Sequence, residues 1–128
     1  MKIKILLFEP NDILRFALSE QLLINKDYDV TLASSLQDFK WHAEKSIFDL
    51  LIMGEQGEAH SISSFLQFIK EAQITNRILF MIESSSGEVL ITEGSTDQYH
   101  VINKPFRFQH FTKKINFLLA KLSGENHV

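Results

Sequence analysis

The side chains able to do chemistry gather just after the apolar runs of the sequence. Glu9 follows Ile5-Leu6-Leu7-Phe8, Gly54 and Glu55 follow Leu50-Leu51-Ile52-Met53, and Glu83 and Ser84 follow Ile78-Leu79-Phe80-Met81-Ile82. Lys104-Pro105-Phe106 comes shortly after Val101-Ile102. Carboxylates can hold a hard divalent cation or act as nucleophiles, and a nearby lysine supplies positive charge. Other chemistries are poorly represented. The absence of cysteine excludes disulfides, thiolate metal sites and a cysteine nucleophile. His42, His60, His100, His110 and His127 lack the pairing of metal ligands and read as solvated or packing side chains. Ser61, Ser63 and Ser64 are not in a Gly-x-Ser-x-Gly setting and read as the start of a helix, and no glycine-rich phosphate loop occurs.

The apolar runs are short, bounded by polar residues and mostly continuous, as expected of strands buried on both faces of a parallel sheet. Val30-Thr31-Leu32-Ala33 adds another such run, and Val101-Ile102 a weaker one. Between them the apolar period becomes helical. Ile13, Leu14, Phe16, Ala17, Leu18 and Leu22 make one broad face, with Asn11 or Asp12 able to cap it. Leu36, Phe39 and Ala43 follow Ser35, with Asp38 three residues on in a variant capping box. Ile62, Phe65, Leu66 and Ile69 give a third helix, and Phe108, Phe111, Ile115, Leu118 and Leu122 a last one. The alternation implies right-handed βαβ crossovers and a doubly wound α/β sandwich. One stretch breaks it. Between Ile82 and Val101, two glycines and four serines among β-branched residues disfavour a regular helix. A short or irregular fourth helix is expected there, or an extended piece over Val89–Thr92.

Size and charge narrow the class. The chain has 128 residues, which suits one domain of about 100–150 residues. Residues 1–122 form that domain in this reading, and residues 123–128 a polar tail. With 45% apolar residues and few glycines or prolines, disorder and low complexity are excluded. A net charge of -3 argues against nucleic-acid binding by bulk electrostatics. The longest apolar run, Ile78–Ile82, is far below the ~18 residues of a membrane span, and the N-terminal run is too short for a signal peptide. A cytoplasmic location is the simplest expectation.

The strand ending in Lys104-Pro105-Phe106 ahead of an amphipathic helix resembles the close of a two-component response-regulator receiver domain, similar to the chemotaxis regulators. The resemblance runs from residue 2 to about 122. It implies a flavodoxin-like (βα)5 fold with a five-stranded parallel sheet. It also implies a pocket at the carboxyl ends of the strands, where ligands of open α/β sheets collect. Glu9 and Pro10 stand where the family keeps an acidic pair, and Gly54 where it keeps the phosphoacceptor aspartate. Ile82 replaces a Thr or Ser, Val101 replaces a frequent aromatic residue, and Lys104 matches the family lysine. A cis bond before Pro105 is also implied.

Phosphoryl transfer to such a domain needs a carboxylate nucleophile, a divalent ion held by hard oxygens, and donors for the transferred group. Gly54 has no side chain, Pro10 and Ile82 offer no oxygen there, and only Glu9 remains of the acids. The degenerate pocket is therefore read as Glu9, Pro10, Gly54, Ile82, Glu83, Val101, Lys104 and Pro105, with no catalytic residue, no cofactor and no Mg²⁺. A slip of alignment would let Glu55 act as acceptor or Ser84 replace the lost hydroxyl. Lys104 either lies solvated at the rim or pairs with Glu9 or Glu83 in place of a phosphate. Phe106, Phe108, Phe111 and Phe117 read as mostly core, with one or two emerging as a contact patch. The expected role is a non-enzymatic, phosphorylation-independent pseudo-receiver that contacts protein partners in signalling, with the 83–122 face open to a partner or to a second copy in a homodimer. This domain is expected to touch neither nucleic acid nor membrane. The alternatives are the regulatory part of a longer DNA-binding regulator and an atypical receiver phosphorylated on Glu55.

Overall fold

A computed structural model describes residues 2–83 and 97–122. Its elements run β1 (Ile3–Phe8), α1 (Asp12–Leu23), β2 (Tyr28–Ala33), α2 (Leu36–Lys45), β3 (Leu50–Gly54), α3 (Ile62–Ala72), β4 (Ile78–Ile82), β5 (Tyr99–Asn103) and α4 (Phe108–Leu122). The strands form one parallel sheet in the order β2-β1-β3-β4-β5. From β1 the chain moves outward to β2, then crosses back to β3 on the other side. That reversal opens a crevice at the carboxyl ends of β1 and β3. The expected irregular helix, the piece at Val89–Thr92, Ser84 and the tail all lie outside the described residues.

The continuous apolar runs are explained by a core on each side of the sheet. Ile5, Leu7, Leu50, Ile52, Leu79 and Met81 point into one cluster with Leu18 and Leu22 of α1 and Phe111, Ile115 and Leu118 of α4. Leu6, Phe8, Leu51, Met53, Ile78, Phe80 and Ile82 point the other way, onto Phe39, Phe65 and Ile69. Alternate side chains of a strand face opposite sides, so a strand covered twice needs an apolar residue at every position. Full burial of each such Leu, Ile or Phe contributes about 1.5–3 kcal/mol. The run at Val30–Ala33 differs because β2 is the sheet's edge, and Leu32 is exposed there.

Helix starts follow their polar caps. Asn11 accepts from the Leu14 N–H at 2.9 Å and is the cap of α1. Ser35 accepts from Asp38 N–H at 3.0 Å, while the Asp38 carboxylate reaches back to Ser34 N–H at 2.9 Å instead of to Ser35. Ser61 caps α3 by accepting from Ser64 N–H at 3.2 Å.

The apolar face expected for α1 is too broad. Leu18 and Leu22 are buried and Leu14 and Ala17 half-buried, but Ile13 is 82% exposed and Phe16 66%. Two helical steps of about 100° put Phe16 opposite Leu18, so both cannot face the core. The phenylalanines near the chain's end also divide. Phe111 is buried and Phe106 packs partly against the first cluster, whereas Phe108 and Phe117 are exposed.

Candidate functional site

Register brings the site together. Phe8 pairs with Met53, so Glu9 and Gly54 come next on neighbouring strands. Gly54 pairs with Met81, and Ile82 with Asn103, which sets Lys104 just beyond the end of β4. Lys104 N–H donates to Ile82 O at 2.7 Å, and the Lys104–Pro105 bond is cis, as the resemblance implied.

Glu9 is fully buried, and Lys104 Nζ lies 2.9 Å from its Oε1. Of the two partners named from the sequence, Glu9 is therefore the one that Lys104 takes. The same ammonium donates to the main-chain oxygen of Glu55 at 2.7 Å. Oε1 of Glu9 accepts no aligned hydrogen bond, so the pair is held by charge and proximity. Oε2 accepts from the Asn11 N–H at 2.9 Å, and the Arg15 guanidinium donates to the Glu9 main-chain oxygen at 2.7 Å. The side-chain exposures of Lys104 and Glu9 are 12% and 0%, so this is a buried ion pair and not a solvated rim lysine.

The Glu9 carboxylate fills the space above Gly54. A Cβ added to Gly54 would lie 2.7 Å from Glu9 Cδ, closer still to Oε1, and 3.1 Å from Met81 Cε. Any side chain at position 54 must displace the partner of Lys104. Pro10 is half-buried in the turn after β1. Ile82 is buried in the core toward α2 and α3, and Val101 packs against that same cluster. Glu83 is exposed, with its Oε1 3.4 Å from Gly57 N–H.

Glu55 is also buried, but it turns to the main chain. Its Oε1 accepts from Glu83 N–H at 2.6 Å and its Oε2 from Ile62 N–H at 3.0 Å. The carboxylate thereby joins the end of β4 to the first turn of α3. Nothing in its sequence spacing marks that role, because both donors are backbone groups. Asn11 and Arg15 also contact Glu9, and the sequence marks only Asn11, as a helix cap.

The receiver resemblance implies a Mg²⁺ ion, and the donor set does not fit it. Mg²⁺ asks for near-octahedral oxygen ligands, usually including one or two free carboxylates. Here Pro10 and Gly54 contribute no side-chain oxygen, and both oxygens of Glu9 face positive or N–H groups. Among the described residues, no group of three or more His, Asp or Glu side chains is placed to hold a metal.

No model of a known protein family matches the sequence, and no curated protein does. Solved structures do. The receiver domain of a Francisella response regulator superposes with a TM-score of 0.76 at 15% identity, over 94% of this chain and 98% of that one. Its fold is that of a receiver domain. A CheY-like receiver domain protein from Methanospirillum hungatei gives 0.72 at 16% identity, over 98% and 99% of the two chains. An orphan response regulator of H. pylori gives 0.70 at 24% identity, over 91% and 96%. On this receiver fold, the crevice holding Glu9, Gly54 and Lys104 lies at the carboxyl ends of the strands. Among the described residues, no helix is long and apolar enough to cross a membrane.

Proposed function

We propose that this chain is a receiver-type signalling module that works without aspartyl phosphorylation, through contacts with protein partners. The observation that carries the reading is the Glu9–Lys104 pair seated over Gly54. The pair satisfies the lysine from within, in the space where a receiver would need an acceptor side chain. Without a phosphoryl-driven change between two states, control would rest on partner availability or self-association. In this reading the domain is not an enzyme, binds no Mg²⁺ in the crevice, and meets its partner or a second copy through the 83–122 face.

Phosphorylation on Glu55 is the weaker reading. Both of its carboxylate oxygens accept main-chain N–H bonds in a buried position, which leaves a poor nucleophile. Binding of an isolated partner, measured before and after exposure to Mg²⁺ and a small phosphodonor, tests the proposal. Equal affinities are expected, and a partner that binds only after phosphodonor treatment would overturn it.

A further inference from the structure

We propose that Glu9 and Glu55 together form a built-in latch that holds the loops around the crevice as one cooperative unit. This rests on the phosphorylation-independent reading and deepens it by naming what replaces the switch. The contacts form an unbroken path. Asn11 N–H, at the start of α1, donates to Glu9 Oε2, and Glu9 Oε1 faces Lys104 Nζ at the end of β5. Lys104 Nζ donates to the Glu55 main-chain oxygen after β3. The Glu55 carboxylate then accepts from Ile62 N–H at the start of α3 and Glu83 N–H at the end of β4. Four segments at the carboxyl ends of the strands are thus tied, beyond their main-chain pairing, by two acids and one lysine.

Physical reasons favour cooperation over independent contacts. Glu9 and Glu55 are 0% and 5% exposed, so releasing either partner leaves an ionised group short of its donors away from water. Lys104 serves both acids, Glu9 through charge and residue 55 through its carbonyl, so moving the lysine loosens both ends. Glu55 is a positioning residue in this scheme: it fixes where Glu83 leaves the sheet and where α3 begins. The surface beside Glu83 and Lys104 is then presented in one standing arrangement that needs no ligand to set it.

Native-state amide exchange tests the latch on the unmodified chain and on Glu9→Gln and Glu55→Gln. In the unmodified protein, the amides of Asn11, Ile62 and Glu83 should converge on one subglobal opening with a shared denaturant dependence. Each substitution should speed exchange at all three amides by about tenfold or more, the factor equivalent to about 1.4 kcal/mol. Separate openings in the unmodified chain overturn the proposal. So does a variant effect confined to direct partners, with Glu9→Gln touching only Asn11 and Glu55→Gln only Ile62 and Glu83. If a variant does not fold, the unmodified chain still decides. Phosphoryl uptake by the protein would instead refute the reading beneath the latch, and it is scored separately by mass.

Discussion

The carboxylate of Glu9 lies where a side chain on residue 54 would begin, and it is held there by Lys104. The glycine and the glutamate therefore depend on each other. Glu9 can reach Lys104 because Gly54 is bare, and position 54 must stay bare while Glu9 occupies that space.

Removing the lysine should be costly. Lys104→Met leaves Glu9 buried without its counter-charge, and breaking a buried pair in this way costs about 3–5 kcal/mol. Urea unfolding should show that loss. The double variant Glu9→Gln with Lys104→Met should recover much of it, because no unpaired charge remains. Two losses that simply add would contradict the ion-pair account.

Adding one carbon at position 54 should also be felt. Gly54→Ala forces Glu9 aside and is expected to lower stability by about 1–3 kcal/mol, the usual range for overpacking. In a Glu9→Ala background the same substitution should cost less. Equal costs in the two backgrounds would mean that Glu9 is not what the added methyl group meets.

How much of this was legible in the sequence depends on the kind of interaction. The continuous runs at Ile5–Phe8, Leu50–Met53 and Ile78–Ile82 announced doubly covered strands, because burial on both faces leaves no polar position. Their ends located Glu9, Gly54 and Ile82. The choice of Glu9 over Glu83 for Lys104 was not legible, since it depends on strand register and on which carboxylate is buried. The role of Glu55 was hidden for a different reason: its partners are main-chain N–H groups, and those leave no signature in residue types. Phe16 stays exposed because the six apolar positions of α1 span a wider arc than a helix can bury against a single core.

Asp38 should make stability sensitive to acid. The Ser34 N–H bond holds its carboxyl below the usual value, with smaller help from the Ser34 hydroxyl and His42. A carboxyl depressed in the folded state contributes stability above its unfolded pKa, near 4, and loses it as pH falls through the folded value. Unfolding curves of the protein and Asp38→Asn should therefore draw together as pH drops below about 4. A gap that stays constant to lower pH would remove Asp38 from the explanation.

Tyr28 should act at the opposite end of the scale. Burial raises its phenol, Asp27 adds to the rise and Asn25 opposes it, while the hydroxyl donates to Asn116 Oδ1 at 2.9 Å. A group raised in the folded state contributes stability below its unfolded pKa, about 10, and loses it as pH rises through the folded value. The protein should lose stability above about pH 10 more steeply than Tyr28→Phe. Identical alkaline profiles for the two would count against this assignment.

Intact mass after incubation with Mg²⁺ and a small phosphodonor tests the central claim most directly. The crevice filled by Glu9 and Lys104 should leave the mass unchanged, while a phosphorylatable receiver in the same tube gains one phosphoryl group. A gain of one phosphoryl group on this chain, mapped to Glu55 or Glu9, would contradict the account.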